Sequence, residues 1–110
     1  MKIKKWLVML LLVPAVARAE FVTGNDLLSK MRSSEVYDMM YALGYVLGVH
    51  DSFEGSTICT GSQVTAGQTR DVVKRFLENN PGQRDMSATV LSIVALMEAF
   101  PCKEQKGKRS

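Results

Sequence analysis

The stretch TAGQTRDVVKRFLENNPGQRDMSATVLSIVALMEAFPC, residues 65–102, decides the fold class of this chain. Its first part begins with Thr65 and Gln68, which have the spacing of a capping box, in which each side chain accepts a bond from the other residue's backbone N–H. The residues that follow form an apolar stripe at helical spacing, made of Val72, Val73, Phe76 and Leu77. The pattern predicts an amphipathic helix that starts at a defined residue.

The second part of the stretch predicts another helix of a different kind. Residues 79–82, Asn-Asn-Pro-Gly, end the first helix, because proline and glycine interrupt helical structure. Asp85 or Ser87 can cap the next helix, which runs over residues 88–100 and is apolar on nearly every side until Pro101 stops it. A helix of that kind is expected in the middle of a bundle or in an oligomer interface.

The preceding part of the chain contains two more helical patterns. The first covers residues 24–32, with Thr23 or Asn25 as its cap, and the second covers residues 35–52, with Ser34 as its cap. Residues 53–64 are predicted to form a loop. No segment shows the alternation typical of a strand, so we expect an all-α, single-domain helical bundle of four to five helices.

The predicted second helix carries two rows of side chains at helical spacing. One row contains Val36, Met40, Leu43 and Leu47, and the other contains Tyr37, Tyr41 and Tyr45, which we interpret as core and flank packing in preference to a ligand platform. Gly44 and Gly48 lie one turn apart in the same helix. Since glycine lowers helix propensity, the pair predicts a close approach to a neighbouring helix.

The first nineteen residues have the features of a cleavable secretory signal peptide. Lysines precede an apolar run, residues 6–13, and the small residues Ala17 and Ala19 lie where a signal peptidase cleaves. The apolar run is shorter than the roughly 20 residues that span a bilayer. We therefore expect cleavage after Ala19, a mature domain over residues 20–102, and a protein that is free of the membrane in the periplasm.

The charge of the chain is unevenly distributed. The sequence has 14 basic and 11 acidic residues, and four of the bases lie in the predicted signal peptide, so the mature net charge is −1. Four more bases lie within residues 103–110, a basic tail that is predicted to be disordered because it has no apolar side chain to bury. The body between them is mildly acidic and lacks the basic face that nucleic-acid binding requires.

The two cysteines, Cys59 and Cys102, both lie in the predicted mature domain. In an exported protein an even pair most economically forms one disulfide, and small domains often depend on such a cross-link. The alternatives are a metal site and a free nucleophile, and His50 is the single histidine that could join either. We favour the disulfide.

The sequence predicts no enzyme, no cofactor and no metal site. A nucleophilic triad would need His50, and no G-x-S-x-G elbow accompanies it. His50 and Asp51 are adjacent, so their side chains are expected to point in different directions on a helix. We interpret His50 as a partly exposed residue near a helix end.

Three segments, taken together, resemble the Rap/Tai family of immunity proteins, which is associated with type VI secretion amidase effectors. GYVLGVHDSF is similar to the family's G-Y-x-x-G-x-x-D helix, through Gly44, Tyr45, Gly48 and Asp51. The segment over residues 58–85 carries the family's cysteine and its V-T-x-G-Q sequence, through Cys59, Thr65, Gly67 and Gln68. The third segment ends in the family's F-P-C sequence at residues 100–102.

The chain departs from the family pattern at two positions. Many members carry an additional cysteine in each of the first two helices, and Met31 and Ala42 stand at those positions here. Losing both cysteines together is consistent with one dispensable bridge replaced by apolar packing. It leaves the Cys59–Cys102 pair undisturbed.

The resemblance implies a periplasmic immunity protein that binds a peptidoglycan amidase effector, similar to NlpC/P60 enzymes, and occludes its catalytic cleft. Family members are often homodimers, and the apolar fourth helix and the Gly44–Gly48 pair offer self-association surfaces. The alternative hypothesis is a periplasmic stress or chaperone-like helical protein without a dedicated effector.

Two loops are candidates for the contact with the effector, residues 53–63 and residues 79–85. We favour the second loop, because Pro81 and Gly82 stiffen and expose it, whereas the predicted disulfide pins the first. The predicted contact residues are Asn79, Asn80, Pro81, Gly82, Gln83, Arg84 and Asp85.

Overall fold

The computed structural model describes residues 21–103. The predicted signal peptide and nearly all of the predicted basic tail lie outside these residues. The helices are α1 (Gly24–Arg32), α2 (Val36–Phe53), α3 (Ala66–Asn79) and α4 (Ala88–Ala99), with a short 3-10 helix, Pro81–Gln83, between α3 and α4. Two isolated β-bridges occur in the described residues, which contain no strand. The predicted all-α bundle is confirmed.

Three of the helices begin at a side-chain cap. The predicted Thr65–Gln68 capping box is present, with Gln68 N donating to Thr65 Oγ1 over 3.1 Å and Thr65 N donating to Gln68 Oε1 over 2.8 Å. A second capping box, between Thr23 and Asp26, starts α1. Ser87, one of the two predicted caps of α4, accepts from the first backbone N–H groups of that helix. These caps satisfy N–H donors that have no partner within the helix.

The predicted cap of α2 is wrong. The helix begins after Glu35 without a side-chain cap, and Ser34 plays no part. Ser33 Oγ instead accepts a bond from Glu35 N over 3.0 Å, which holds the chain in the tight connection between α1 and α2. The helix also continues through Phe53, one residue beyond the predicted end. Its length is therefore set by packing against the bundle more than by capping.

The core lies where the four helices meet. It is built from Leu27, Leu28, Ala42, Val46, Ile58, Val73, Leu77, Ala88, Leu91, Ala95 and Leu96. Ile58 comes from the loop before α3 and is fully buried. Met31, at one of the two positions where many family members have cysteine, packs against this core, and Ala42, at the other, belongs to it. Apolar packing therefore occupies both positions.

The fully buried face of α2 is neither of the predicted rows, although Tyr45, from the tyrosine row, packs against the core. Ala42, Val46 and Val49 face the core, whereas Val36 is 72% exposed and Tyr37 is 85% exposed. Because α2 is apolar around much of its circumference, its sequence does not distinguish the face that packs from the face that remains in solvent. The neighbouring helices α1, α3 and α4 make that choice.

The prediction for the glycine pair of α2 is also wrong within one copy of the chain. A Cβ atom added at Gly44 or Gly48 would meet no atom within 4 Å. The glycine that does lie at a close approach is Gly24, where an added Cβ would be 2.6 Å from Leu91 Cδ1 and 3.0 Å from the carbonyl oxygen of Arg84.

The disulfide between Cys59 and Cys102 is confirmed, and it joins residues 43 positions apart. Cys59 N also donates to the carbonyl oxygen of Phe100 over 2.9 Å. The end of α4 is thereby attached to the loop before α3. No helix within residues 21–103 has the length and apolar character needed to cross a membrane.

Candidate interaction site

The predicted contact loop, residues 79–85, is held at its first end by Asn80. Asn80 Nδ2 donates to the carbonyl oxygen of Phe76 over 2.8 Å, which satisfies an acceptor at the end of α3. Its own carbonyl oxygen accepts from Gln83 N over 3.1 Å, which closes the 3-10 turn that begins at Pro81. The amide nitrogen of the half-buried Asn80 side chain is therefore engaged within the protein.

The loop is held at its other end by residues that surround the start of α1. Asn25 N donates to the carbonyl oxygen of Arg84 over 2.8 Å, and Gly24 N donates to that of Met86 over 2.9 Å. Ala88 N donates to the carbonyl oxygen of Val22 over 2.8 Å. These bonds satisfy backbone donors at the starts of two helices at once, so the loop is anchored on both sides.

The tip of the loop lies in solvent. Pro81, Gly82 and Gln83 are exposed, as are Asn79 and Asp85, which flank them. Arg84 is half-buried, and its Nε is fully buried with no hydrogen-bond partner among the described residues. The structure thus brings the predicted contact residues into one rigid turn, with Asn80 inside it as a structural residue.

A cleft of about 460 Å³ adjoins this loop and was not evident in the sequence. Its lining is formed by Asn25, Leu28, Ser29, Arg32, Ser33, Asp38 and Arg84. Several of these residues follow helical spacing along the polar side of α1, which in a sequence is indistinguishable from an ordinary solvated face. The cleft exists because the loop after α3 folds back against α1.

The other candidate loop, residues 53–63, is fixed to the body of the protein. Ile58 is fully buried, Cys59 is in the disulfide, and Gly55 adopts a positive φ of 90° that allows the tight turn before Ile58. Thr60 N donates to the carboxylate of Glu54 over 3.1 Å. The middle of this loop, residues 57–60, is therefore part of the scaffold.

The expectation that His50 and Asp51 point in different directions is wrong. His50 Nδ1 lies 2.9 Å from Asp51 Oδ1, while Nε2 lies 2.9 Å from Glu54 Oε1 and 3.0 Å from Thr60 Oγ1. The carboxylate of Asp51 contacts the ring because this short side chain is rotated toward His50 at the exposed end of α2. The imidazole thus connects this helix to the loop that carries the disulfide.

This arrangement resembles a Thr-His-Asp triad, but Glu54 changes its chemistry. A base needs an unprotonated Nε2 to accept the hydroxyl proton of Thr60. Glu54 Oε1 lies 2.9 Å from that same nitrogen, so the Thr60 hydroxyl shares it with a carboxylate. We therefore interpret the cluster as a structural connection. Among residues 21–103, no group of three or more acidic, histidine or cysteine side chains is arranged to hold a metal ion.

The fold and the surface define a class of protein, a small all-α domain that is closed by one disulfide and carries a rigid exposed turn between its last two helices. Residues 23–102 match the family model described as Rap1a immunity proteins. The match covers most of the chain, which therefore belongs to the Rap1a immunity protein family, and the resemblance noted in the sequence is confirmed. No curated protein matches the chain. Family membership implies a role in immunity to a type VI secretion effector.

Proposed function

We propose that this protein is a periplasmic immunity protein that binds a peptidoglycan amidase effector of type VI secretion and occludes its catalytic cleft. It acts as a binding protein without catalytic activity of its own. The observation that carries the proposal is the turn over residues 79–85, which is exposed at its tip and bonded to the body of the protein at both ends. It stands in a domain that belongs to an immunity family.

The rigidity of the turn supports a role in occlusion. A segment that is already ordered loses little conformational entropy when it enters a cleft, so more of the contact energy appears as affinity. The 3-10 helix Pro81–Gln83 supplies that order, because proline restricts the backbone at its first position. Gln83 lies at the exposed tip and is the side chain best placed to enter an active site.

The experiment is an inhibition assay with an NlpC/P60-like amidase that is encoded beside this gene or recovered from periplasm with the mature protein. We expect the wild type to block peptidoglycan hydrolysis. Replacing Gln83 and Arg84 with alanine should weaken inhibition while the thermal melt stays unchanged. Asn80 is left intact, because its side chain caps α3.

Gln63→Ala is the matched control, since Gln63 is an exposed glutamine at the end of the other candidate loop. It should inhibit like the wild type. Full inhibition by the Gln83/Arg84 variant would show that this turn is not part of the interface. Failure of the wild type to inhibit any such amidase would overturn the amidase proposal itself.

The periplasmic location rests on the predicted signal peptide and on family membership. We expect the protein recovered from a periplasmic extract to begin at Glu20. Retention of the first nineteen residues on a cytoplasmic protein would contradict this part of the proposal.

We also propose that two copies associate through the exposed face of α2. Val36, Tyr37 and Met40 are 72%, 85% and 62% exposed. Gly44 and Gly48 continue the same face without any covering atom, so a second helix could approach closely there. Contiguous exposed apolar surface of this kind marks an interaction site.

The same face is the one observation that favours the second candidate function, a periplasmic stress or chaperone-like protein without a dedicated effector. In that case the apolar surface would bind unfolded chains and would become accessible when dimers separate at low pH. Suppression of aggregation of an unfolded client by the acid-dissociated protein would support it, whereas a stable dimer at low pH would count against it.

A further inference from the structure

The side chain of Arg84 contains a buried hydrogen-bond donor that plays no part in forming the turn. Its Nε is fully buried, and no acceptor within residues 21–103 bonds to it. Buried N–H groups in native proteins nearly always have a partner, so an unsatisfied one requires an explanation. The Arg84 backbone is held by its bond from Asn25 N, so the side chain leaves the loop from a fixed point.

The other charges around the cleft have partners of opposite sign. Asp38 Oδ1 lies 3.6 Å from Lys30 Nζ, and Arg32 lies 3.7 Å from Glu78. Arg84 forms no salt bridge within the described part of the chain. The cleft therefore holds one positive charge in excess, carried by the guanidinium group whose Nε is unsatisfied.

Neutral donors complete the lining of the cleft. Ser33 Oγ accepts from Glu35 N, which leaves its hydroxyl hydrogen free to donate to a ligand. Ser29 and Asn25, on the same side of α1, add a hydroxyl and an amide. One guanidinium group without a charged partner in residues 21–103, beside neutral donors, is suited to a single negative charge.

We propose that this cleft binds a carboxylate, supplied by an aspartate or glutamate side chain of the effector; the identity of that partner rests on the proposed function. The two terminal nitrogens of a planar guanidinium group match a carboxylate through two parallel N–H···O bonds. A phosphate, with its additional charge, is less suited, because the carboxylate of Asp38 also lines the cleft. The acidic side chain anchors the effector beside the exposed turn and places Gln83 over the active site.

The first test uses a small carboxylate and does not depend on the effector. The amide and guanidinium Nε–Hε resonances of the 15N-labelled mature protein are followed while N-acetyl-glutamate amide is added, with the neutral N-acetyl-glutamine amide as the matched probe. We expect a saturable shift of the Arg84 Nε–Hε signal and of the Ser29 and Ser33 amides with the acidic probe alone. Equal shifts with both probes, or none at these positions, would overturn the carboxylate site.

The second test uses the amidase that the wild type inhibits. Arg84→Gln should weaken binding by roughly thirtyfold or more, as expected when one partner of a charge-assisted pair is lost. Arg84→Lys keeps the charge but lacks the planar guanidinium group, so its affinity should lie between those of the wild type and Arg84→Gln. Arg75→Gln, which removes the same charge from an exposed position on α3, should bind like the wild type.

A charge exchange identifies the partner residue and guards against a folding artefact. Arg84→Glu should lose binding, and lysine in place of the contacting acidic residue of the amidase should restore it. If the wild type binds an amidase but Arg84→Gln binds equally well, the carboxylate site is wrong and the proposed function stands. If the wild type binds no amidase while the glutamate probe still docks at Arg84, the amidase proposal is wrong and the carboxylate site stands.

Discussion

The start of α1 is the point where single residues have the largest structural effect. Gly24 is buried at the junction of α1, α4 and the loop after α3. Its backbone N–H donates to the carbonyl oxygen of Met86. Because it has no side chain, Leu91 and the carbonyl oxygen of Arg84 can lie close to its Cα. Gly24 thus begins α1, contacts the core and anchors the proposed contact turn.

Replacing Gly24 with alanine should therefore destabilise the protein. The added Cβ would lie 2.6 Å from Leu91 Cδ1, so the buried Leu91 side chain or α1 itself must shift, and overpacking of this kind costs about 1–3 kcal/mol. The measurement is the free energy of unfolding from urea denaturation followed by circular dichroism.

Gly67→Ala provides the control for this change. Gly67 also lies in the first turn of a helix, but an added Cβ there meets its nearest atom, on the flexible Arg70 side chain, at 3.8 Å. Alanine should stabilise this position slightly, because it has the higher helix propensity. If the two replacements change the free energy of unfolding equally, the effect at Gly24 does not come from packing against Leu91.

Residues that act over short sequence distances were predictable. Thr65 and Gln68 form a box whose atoms all lie within four consecutive residues, so the pattern contains the whole interaction. His50 was predicted correctly as a partly exposed residue near a helix end, but its bond to Thr60 was not, because Thr60 is ten positions away and reaches the ring only after the loop has folded back. Arg84 was predicted as an exposed contact residue, but its buried Nε depends on the approach of α1.

At the scale of elements, α2 is the helix with two apolar sides. One side, with Ala42 and Val46, is in the core, and the other, with Tyr37 and Met40, is in solvent. A similar division applies to α4, which contacts all three other helices but leaves Val90 and Met97 partly exposed. A helix that leaves large apolar side chains exposed in the single chain is typical of a protein–protein interface.

Introducing a charge on the exposed side of α2 should therefore abolish self-association without unfolding the domain. Met40→Glu places a carboxylate at a position that is 62% exposed in the single chain but would be buried in a dimer. Burial of an unpaired charge is strongly unfavourable, so we expect monomers. Sedimentation velocity at several concentrations gives the oligomeric state, and circular dichroism reports the fold.

Gln63→Glu, which adds the same charge at an exposed loop position, should leave the dimer intact. A dimer that persists in Met40→Glu would place the interface on another surface, with α4 the next candidate. A wild type that is monomeric at every concentration would contradict the dimer proposal.

At the scale of the whole molecule, the disulfide and the apolar core have complementary roles. A domain of this size buries a limited core, and Ile58 contributes to that core from a loop. The Cys59–Cys102 bond holds this loop against the end of α4 and closes 43 positions of chain that include α3 and the proposed contact turn. Losing it would affect both stability and the position of the turn.

Removing the bridge with the double change Cys59→Ser and Cys102→Ser should lower the free energy of unfolding by about 4 kcal/mol, because the unfolded chain regains the entropy of the open loop. Urea denaturation of this variant, compared with the wild type under reducing and oxidising conditions, provides the value. The reduced wild type should resemble the variant. Equal denaturation midpoints for the bridged and unbridged proteins would contradict a stabilising role for the bond.

The sequence by itself determined the helices, the capping box of α3, the disulfide and the family. Each depends on a pattern that is complete within a few residues, or on a pair of cysteines with no competing cysteine. The choice of the buried face of α2, the place of Ile58 in the core, the close approach at Gly24 and the cleft beside Arg84 were decided only by the tertiary structure. These features arise from contacts between segments that are distant in sequence, and an apolar or polar helix face has the same pattern whether another segment covers it or solvent does.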